Sequence, residues 1–332
     1  MNSSFAFCIE LFSNKSREST SGTAVAATSI GRFQFSMLED AREYTKVEEQ
    51  IGAFTQGERT YAAKLLGKWN MPSTPLTFEQ CNHILEAGVK TATPTGTNPY
   101  TYVYAYPYTG TSVNTIKTYT IEAGSATVTG DVREMEYSYV ESFEFSGKFG
   151  EAWMMQSNWQ GRQLSASTFT AALTVPTVEE ALFQKTTLYI DATGGTIGTT
   201  AKAGVLMSSS FKVKTGLVPV PVANGQLYFY ATKWTQPEIT FSITMELEDT
   251  VGLVAAERAF YEANTVRLFR LKCLGSGSKS FQIDFAGKYD KISDYSNDSG
   301  NTSVTFDGHA VASSADSIST TFTLVNTLAT VP

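Results

Sequence analysis

The chain has 332 residues, of which 42% are hydrophobic and 12% aromatic. This composition supplies a large core and excludes wholesale disorder, and the length suits one large all-β domain or two of ordinary size. The formal net charge of −7, without any run of basic residues, argues against tight binding to a nucleic-acid backbone, which requires clustered Lys and Arg.

The cysteine content and the N-terminal residues indicate the compartment in which the chain folds. Cys8, Cys81 and Cys273 are far apart and odd in number, so we expect no disulfide framework and assembly in a reducing cytoplasm. The N-terminus lacks a basic leader and a cleavage-site pattern, which argues against a signal peptide. No apolar run approaches the roughly 20 residues needed to cross a bilayer, and we expect no membrane partner.

Most segments are predicted to be β-strands, because Ser, Thr and Gly alternate with Phe, Tyr and Val and turn residues separate the runs. Two helices are predicted. The first runs from Thr77, which is suited to the N-cap position, to Gly88. The second runs from about Thr250 to Asn264, with apolar side chains at helical spacing.

Residues 139–163 contain two runs of alternating apolar and polar residues joined by a turn that contains glycine. This pattern is typical of antiparallel strands with one buried and one wet face. The predicted apolar face consists of Tyr137, Tyr139, Phe143, Phe145, Trp153 and Trp159. The predicted polar face consists of Glu136, Ser138, Ser142, Glu144, Gln156 and Asn158.

Similar segments recur in the same order around the two predicted helices. "KTYTIEAG" from Lys117 resembles "KSFQIDFAG" from Lys279, 162 positions later (279 − 117). "GTAVAATSIGRFQFSM" from Gly22 resembles "GTTAKAGVLMSSSFKVK" from Gly198, 176 positions later (198 − 22). The repeat predicts a duplicated β-domain, and chance similarity between Ser/Thr-rich strands is the alternative. The predicted parts are an N-terminal extension or arm (1–20), a first module (21–175), a linker (176–184) and a second module (185–332).

Residues able to carry out catalysis or bind metal are few. Cys81 and His83 lie in the first predicted helix without further ligands, and His309 lies with Asp307 on the polar side of an alternating strand. The segment "DYSNDSGN" lacks the spacing and terminal Glu of a calcium loop. We therefore expect no enzyme, no metal and no cofactor.

One acidic pair keeps an enzymatic hypothesis open. Glu134 and Glu136 share a strand face and could serve as the carboxylate pair of a carbohydrate-active enzyme. No sugar cleft is recognisable around them in the sequence. Loss of any polysaccharide hydrolysis on replacing either residue by glutamine would favour this hypothesis.

Five segments, which follow one another along nearly the whole chain, together resemble a known protein family. They are "RESTSGTAVAATSIG", "KTYTIEAG", "VESFEFSGKFGEAWMMQSNWQGRQ", "LYIDATGGTIGTTAKAGVLMSSSFKVKTG" and "TFTLVNTLATVP". Together they resemble the major tail tube protein of long-tailed, non-contractile bacteriophages. The resemblance implies a mainly β fold with two tandem β-sandwich modules, each with a flanking helix, whose strands join an inter-subunit β-barrel.

The resemblance implies a structural virion protein that assembles in the host cytoplasm into stacked rings, which form a conduit for DNA ejection. A duplicated subunit implies trimeric rings with pseudo-sixfold symmetry, and a spurious repeat would imply hexameric rings. The implied partners are further copies of the chain, the tape measure protein, tail tip and terminator proteins, and passing double-stranded DNA without tight binding. Another virion β-protein, such as a tail terminator, fibre or adhesin domain, is the alternative.

The resemblance also implies two kinds of surface. A weakly acidic, hydroxyl-rich wall facing the lumen would repel phosphates. The lumen-facing candidates are Glu136, Ser138, Ser142, Glu144, Gln156, Asn158, Thr240, Ser242, Thr244, Glu246, Thr305, Ser319, Thr321 and Thr323. Two long loops are expected to contact adjacent rings, although the second could instead fold back on its own domain. Their candidates are Glu39, Asp40, Arg42, Glu43, Lys46, Glu48, Glu49, Leu217, Val218, Val220, Val222 and Phe229.

Overall fold

The structure is a computed structural model. It describes residues 18, 20–34, 36–52, 54–55, 57–110, 113–125, 128, 130–247, 252–298 and 300–331. Most of the predicted N-terminal extension, and Thr250 at the predicted start of the second helix, lie outside the described residues.

The described part of the chain is mainly β, as the alternation predicts, with a large antiparallel sheet and two helices. Its first half contains β1 Glu39–Asp40, β2 Glu43–Lys46, β3 Thr60–Lys64, β4 Gly67–Pro75, α1 Cys81–Gly88, β5 Tyr100–Ala105, β6 Tyr119–Ala123, β7 Arg133–Lys148, β8 Met154–Gly161 and β9 Leu164–Ala166. Its second half contains β10 Thr186–Ala192, β11 Ala201–Lys202, β12 Leu206–Lys214, β13 Leu217–Val220, β14 Ala231–Trp234, β15 Glu238–Glu246, α2 Leu253–Glu262, β16 Arg267–Leu274, β17 Ser280–Ile292, β18 Ser296–Asp298, β19 Asn301–Val311 and β20 Thr320–Asn326.

Both predicted helices are confirmed, and α1 begins later than predicted. Thr77 forms an isolated β-bridge with Glu180, which keeps it outside the helix. Its hydroxyl accepts a hydrogen bond from the backbone N–H of Gln80 at 3.3 Å, so it closes the turn that leads into α1. All eight residues of α1 are buried, and the helix lies against β7.

Two layers of strands enclose the core. In one layer the strands pair in the order β1-β4-β8-β7-β12-β15-β19-β17, and every pairing is antiparallel. The second layer contains β10-β16-β17-β20-β5 and, separately, β6-β7-β9. The long strands β7 and β17 therefore each contribute one end to each layer.

Aromatic side chains fill the space between the layers. Phe322 on β20 contacts Phe143, Phe145 and Phe211 of the opposite layer, with ring centroids 5.7, 6.0 and 5.8 Å apart. Phe285 on β17 lies 5.0 Å from Phe211 in the same way. Since aromatic pairs at these separations add to the energy of burial, they hold the layers together.

The same order of pairing occurs twice along the chain. The set β4-β8-β7 corresponds to β15-β19-β17, and β6-β7-β9 corresponds to β16-β17-β20. A two-stranded hairpin separates β1 from β4 (β2–β3) and β12 from β15 (β13–β14). Helix α2 lies against β17 as α1 lies against β7. Strand β5 breaks the pattern, because it pairs with β20 and so ties the first half to the second.

The matching sequence segments do not all occupy matching places. "KTYTIEAG" supplies β6, whose pairing position corresponds to β16, whereas "KSFQIDFAG" supplies the first part of β17. Strands of alternating Thr, Tyr and Phe resemble one another wherever they lie in a sheet. Sequence similarity alone therefore matched two strands that do not hold equivalent positions in the repeated order of pairing.

A partly buried ion pair also connects the two halves. The Nζ of Lys279, just before β17, lies 2.7 Å from Oε1 of Glu79 and 3.1 Å from Oε2 of Glu179. Burial by itself lowers the pKa of Lys279, but the bonds to these two carboxylates outweigh it and raise that pKa. The lysine therefore holds the segment between the halves against both of them.

Lys279→Met is expected to reduce the free energy of unfolding by about 2–4 kcal/mol, because it leaves the buried Glu79 carboxylate without its counter-charge. Lys214→Met removes the exposed Lys214–Glu238 pair and is the matched control, with an expected change below about 1 kcal/mol. Urea denaturation of both variants measures the difference. Equal effects of the two substitutions would contradict this role for Lys279.

Candidate functional surface

An extensive polar surface is formed by the side of β8, β7, β12, β15 and β19 that points away from the core, here called the polar sheet face. Directly opposed residues form rows across these strands. One row runs Gln156, Glu144, Lys212, Thr240, His309. The next contains Ser146, Ser210, Ser242 and Asp307 in the same register. Five strands from both halves therefore present one continuous polar surface.

Side chains on the polar sheet face bind one another. The amide of Gln156 donates to Glu144 at 2.8 Å, and that of Asn158 donates to the Ser142 hydroxyl at 2.9 Å. The hydroxyls of Thr244 and Thr305 lie 2.9 Å apart. Because these groups form hydrogen bonds between neighbouring strands, part of the hydrogen-bonding capacity of the face is already satisfied within the chain.

Lysines and carboxylates lie side by side on and around the polar sheet face, and its expected weakly acidic character stays a prediction. Lys212 lies 3.5 Å from Glu144, Lys214 lies 2.7 Å from Glu238, and His309 Nδ1 lies 2.8 Å from Asp290. The lysines are Lys148, Lys212, Lys214, Lys288 and Lys291, and the carboxylates include Glu144, Glu151, Glu238, Glu246, Asp290 and Asp307. Lys212 and Lys214 are not predicted on this face because the alternation does not show that β12 lies between β7 and β15.

Two depressions lie in the polar sheet face. One, of about 250 Å³, is lined by residues that include Ser142, Glu144, Asn158 and Lys212. The other, of about 360 Å³, is bordered mainly by serines of β7, β12 and β15, among them Ser210. The face is thus hollowed rather than flat, with hydroxyls and paired charges at its floor and rim.

Nine of the predicted lumen-facing residues share the polar sheet face. They are Ser142, Glu144, Gln156, Asn158, Thr240, Ser242, Thr244, Glu246 and Thr305. The other five, Glu136, Ser138, Ser319, Thr321 and Thr323, lie elsewhere.

Irregularities in β7 explain the first two exceptions. The register shifts between Val140 and Ser142, and Tyr137 has a φ of 51°, so strict alternation fails in this part of the strand. Ser138 is fully buried and its hydroxyl donates to the carbonyl of Met135 at 3.0 Å. Glu136 lies beyond the shift, where it accepts a hydrogen bond from Gln163 at 3.2 Å.

The same shift divides the predicted apolar face. Phe143, Phe145, Trp153 and Trp159 belong to the main core. Tyr137 and Tyr139 instead belong to a second cluster with Leu66, Leu217 and Phe229. Because Tyr139 precedes the shift, it points to the side opposite Phe143.

The position of β20 explains the remaining exceptions. Thr321 lies opposite Asp284, and Thr323 lies opposite Gln282, on the outside of the second layer. Ser319 directly precedes this strand and lines a separate cavity of about 460 Å³ with Tyr106 and Trp234. The alternation predicted which side chains are exposed but could not predict the layer to which the strand belongs.

The first long loop forms the hairpin β2–β3, here called the projecting hairpin, which pairs with no strand outside itself among the described residues. Its predicted contact residues are largely exposed: Glu39, Asp40, Arg42, Glu43, Lys46 and Glu48 are exposed and Glu49 is half-buried. Arg42 pairs with Asp40, and Arg59 with Glu49. At the tip, Ile51 is 64% exposed and Phe54 is fully exposed.

The second long loop folds back on its own domain in part. Leu217 and Phe229 are only 4% and 5% exposed, so neither is available as an exposed contact residue. Phe229 packs edge-on against Tyr137 at 5.1 Å, and the Arg162 guanidinium lies 4.4 Å above the Tyr137 ring. In the same loop, Val218 and Val222 stay exposed and Val220 is half-buried.

Glu134 and Glu136 lie among other carboxylates. Glu134 is opposite Glu122 on β6. Burial, and then the charges of Glu122 and Glu136, raise the pKa of Glu134 even though Ser167 donates to it. Burial likewise raises the pKa of Glu136, against the hydrogen bond from Gln163. Neither residue is on the polar sheet face, so the acidic pair and the hollowed surface are separate features.

The remaining candidates from the sequence are incorporated in the fold. His83 is buried in α1, and its ring lies edge-on to Tyr119 at 5.7 Å. Cys81 is buried, and burial raises the pKa of its thiol. Among the described residues, no group of three or more His, Cys, Asp or Glu is arranged to hold a metal ion. None of the described helices is long and apolar enough to cross a membrane.

Comparison with known proteins adds no relative: no protein-family model matches the chain, and no curated protein sequence is significantly similar to it.

Proposed function

We propose that this protein is a structural subunit of a phage tail tube, which assembles into stacked rings around a channel for DNA and has no enzymatic activity. The observation that carries the proposal is the polar sheet face, which is hollowed, hydroxyl-rich and shared by strands of both halves. A surface of this kind suits the wall of an aqueous channel, and the apolar side of the same strands packs on the second layer.

Two tandem modules account for the repeated order of pairing. Each module would contribute four strands, β1-β4-β8-β7 and β12-β15-β19-β17, to one layer. Three copies would supply 24 strands (3 × 8). With strands about 4.8 Å apart and tilted by about 40°, a closed barrel of that size is about 48 Å across at the backbone. This width leaves room for a double helix, and trimeric rings are therefore favoured over hexameric ones.

Barrel closure also gives the outermost strands a partner. In one chain the layer ends at β1 and β4 on one side and at the last residues of β17 on the other. Exposed strand edges pair readily with other chains. Joining these two edges between neighbouring copies would close the ring and leave no free edge in the channel wall.

The paired charges on the polar sheet face suit a channel through which DNA slides. Affinity for DNA arises mainly from lysines and arginines that neutralise phosphates. On the polar sheet face, Lys212 and Lys214 are instead engaged by Glu144 and Glu238. A passing double helix would thus meet hydroxyls and compensated charges, and we expect no tight binding.

Negative-stain electron microscopy of the concentrated, purified protein tests the proposal. We expect hollow tubes with a regular axial repeat, and averaged end views with three chains per ring. Discrete particles that persist after addition of phage tail tip proteins would contradict the tube and favour another virion β-protein, such as a tail terminator. End views with six chains would keep the tube and contradict the trimer.

A further inference from the structure

An aromatic cavity lies at the boundary between the two halves of the chain. Residues 106–110, 113 and 114, which follow β5 in the first half, form one wall, and residues 234–237 and Ser319 of the second half form the other. The volume is about 460 Å³, and the described lining residues lie outside the polar sheet face. Ligand sites occur preferentially at such boundaries between units of a fold.

One wall of the aromatic cavity is formed by a segment that the other half lacks. Between α1 and β6 lie 30 residues (119 − 88 − 1), whereas between α2 and β16 lie four (267 − 262 − 1). The longer segment supplies β5, which pairs with β20, and the loop that lines the cavity. The second half forms the same order of pairing without such a segment, so the cavity is an addition to the repeated architecture.

Hydrogen bonds hold the aromatic rings of the cavity in place. The Nε1 of Trp234 donates to the Asn114 carbonyl at 2.7 Å, and the Asn114 amide donates to two further carbonyls at 3.0 and 2.8 Å. Tyr106 is buried, its hydroxyl donates to the Gly88 carbonyl at 3.2 Å, and its ring meets the Trp234 ring edge-on at 6.2 Å. Because these rings are already fixed, a ligand would not have to order them on binding.

The lining combines aromatic rings with uncharged polar groups. Tyr108 is 42% exposed and Trp234 is half-buried, while Thr109, Gln236 and Ser319 supply hydroxyl and amide groups. None of the described lining residues carries a charge. A phosphate or carboxylate would therefore leave water without a counter-charge, and a purely apolar ligand would cover the hydroxyl and amide groups without giving them hydrogen bonds.

We infer that the aromatic cavity binds a neutral saccharide of one or two sugar units, which stacks on Trp234 and Tyr108 and forms hydrogen bonds with Gln236 and Ser319. A sugar ring has apolar C–H faces and hydroxyl groups at its edge, so a single ligand matches both parts of the lining. Since a cavity of about 150 Å³ already holds benzene, this one has room for a sugar ring with its hydroxyls and for part of a second. The site belongs to the single chain and does not depend on the stacking of rings.

Tryptophan fluorescence tests this site with the full chain. Of the four tryptophans, Trp69, Trp153 and Trp159 are at most 1% exposed, so quenching by acrylamide reports mainly on Trp234. The probes are glucose, galactose, N-acetylglucosamine, maltose, lactose and chitobiose. We expect at least one of them to protect Trp234 from quenching, with a dissociation constant in the millimolar range.

A pair of tyrosine variants shows whether the protection arises in the aromatic cavity. Tyr108→Ala should weaken the binding of the protecting saccharide by about an order of magnitude, because it removes one stacking surface. Tyr61→Ala, at an exposed tyrosine on the projecting hairpin, is the matched control and should leave that binding unchanged. Circular dichroism of both variants verifies that they are folded.

Three results would overturn the inference. The first is quenching of Trp234 that none of the six saccharides reduces. The second is equal saccharide binding by Tyr108→Ala and the unmodified chain. The third is protection by choline or by tetraproline but by no saccharide, which would assign the cavity to a cation or to a proline-rich peptide. Hollow tubes without saccharide binding would refute this inference alone and leave the proposed function standing.

Discussion

Replacing Phe322 by alanine is expected to lower the free energy of unfolding by about 3–5 kcal/mol. Phe322 is fully buried and its ring contacts Phe143, Phe145 and Phe211, which belong to both halves of the opposite layer. The substitution removes these contacts and leaves a cavity that the rigid strands on either side cannot fill by moving. Chemical denaturation of the unassembled protein, followed by tryptophan fluorescence, measures the loss.

Phe149→Ala is the matched control, since it removes the same side chain from a largely exposed position. We expect this substitution to change the unfolding free energy by less than about 0.5 kcal/mol. If the two variants had the same stability, the two layers would not be held together through Phe322. If Phe322→Ala gave two separate unfolding transitions, the halves would fold independently and the shared core would be wrong.

The sequence allowed the type of most elements to be predicted because alternation and helical spacing are local properties. The strands of residues 139–163 and both helices are present. Exposure also followed from alternation wherever a strand is regular, as for Thr240, Ser242 and Thr244 on β15. These predictions needed no knowledge of which strands are neighbours.

Properties that depend on distant residues could not be predicted in this way. The irregularities in β7 turn the side chain of Tyr139 to the side of the strand opposite that of Phe143. The alternating sequence pattern does not show these irregularities. Thr321 has the alternation of a channel-facing residue but lies in the second layer, because β20 pairs with β17 and β5. In the same way, the local sequence predicts that Leu217 and Phe229 are exposed loop residues. They are buried because the fold packs them against Tyr137 and Tyr139, which are distant in the sequence.

The labelling rates of single-cysteine variants are expected to distinguish the polar sheet face from the outside of the second layer, which the sequence could not do. Ser210→Cys lies on the polar sheet face, and Thr321→Cys lies on the outside of the second layer. In assembled tubes, a maleimide coupled to a globular protein wider than the channel should label Ser210→Cys at least an order of magnitude more slowly than in the dissociated protein. Thr321→Cys should react at similar rates in both states unless a neighbouring copy covers it.

The native thiols permit this comparison in a Cys8→Ser background. Burial raises the pKa of Cys273 to about 11 and also raises that of Cys81, so both are protonated and shielded near neutral pH. A small maleimide serves as the control, because it can enter the channel and should label Ser210→Cys in tubes. Protection of Thr321→Cys together with free access to Ser210→Cys would reverse the orientation of the subunit. Such a result would place the second layer, and not the polar sheet face, around the channel.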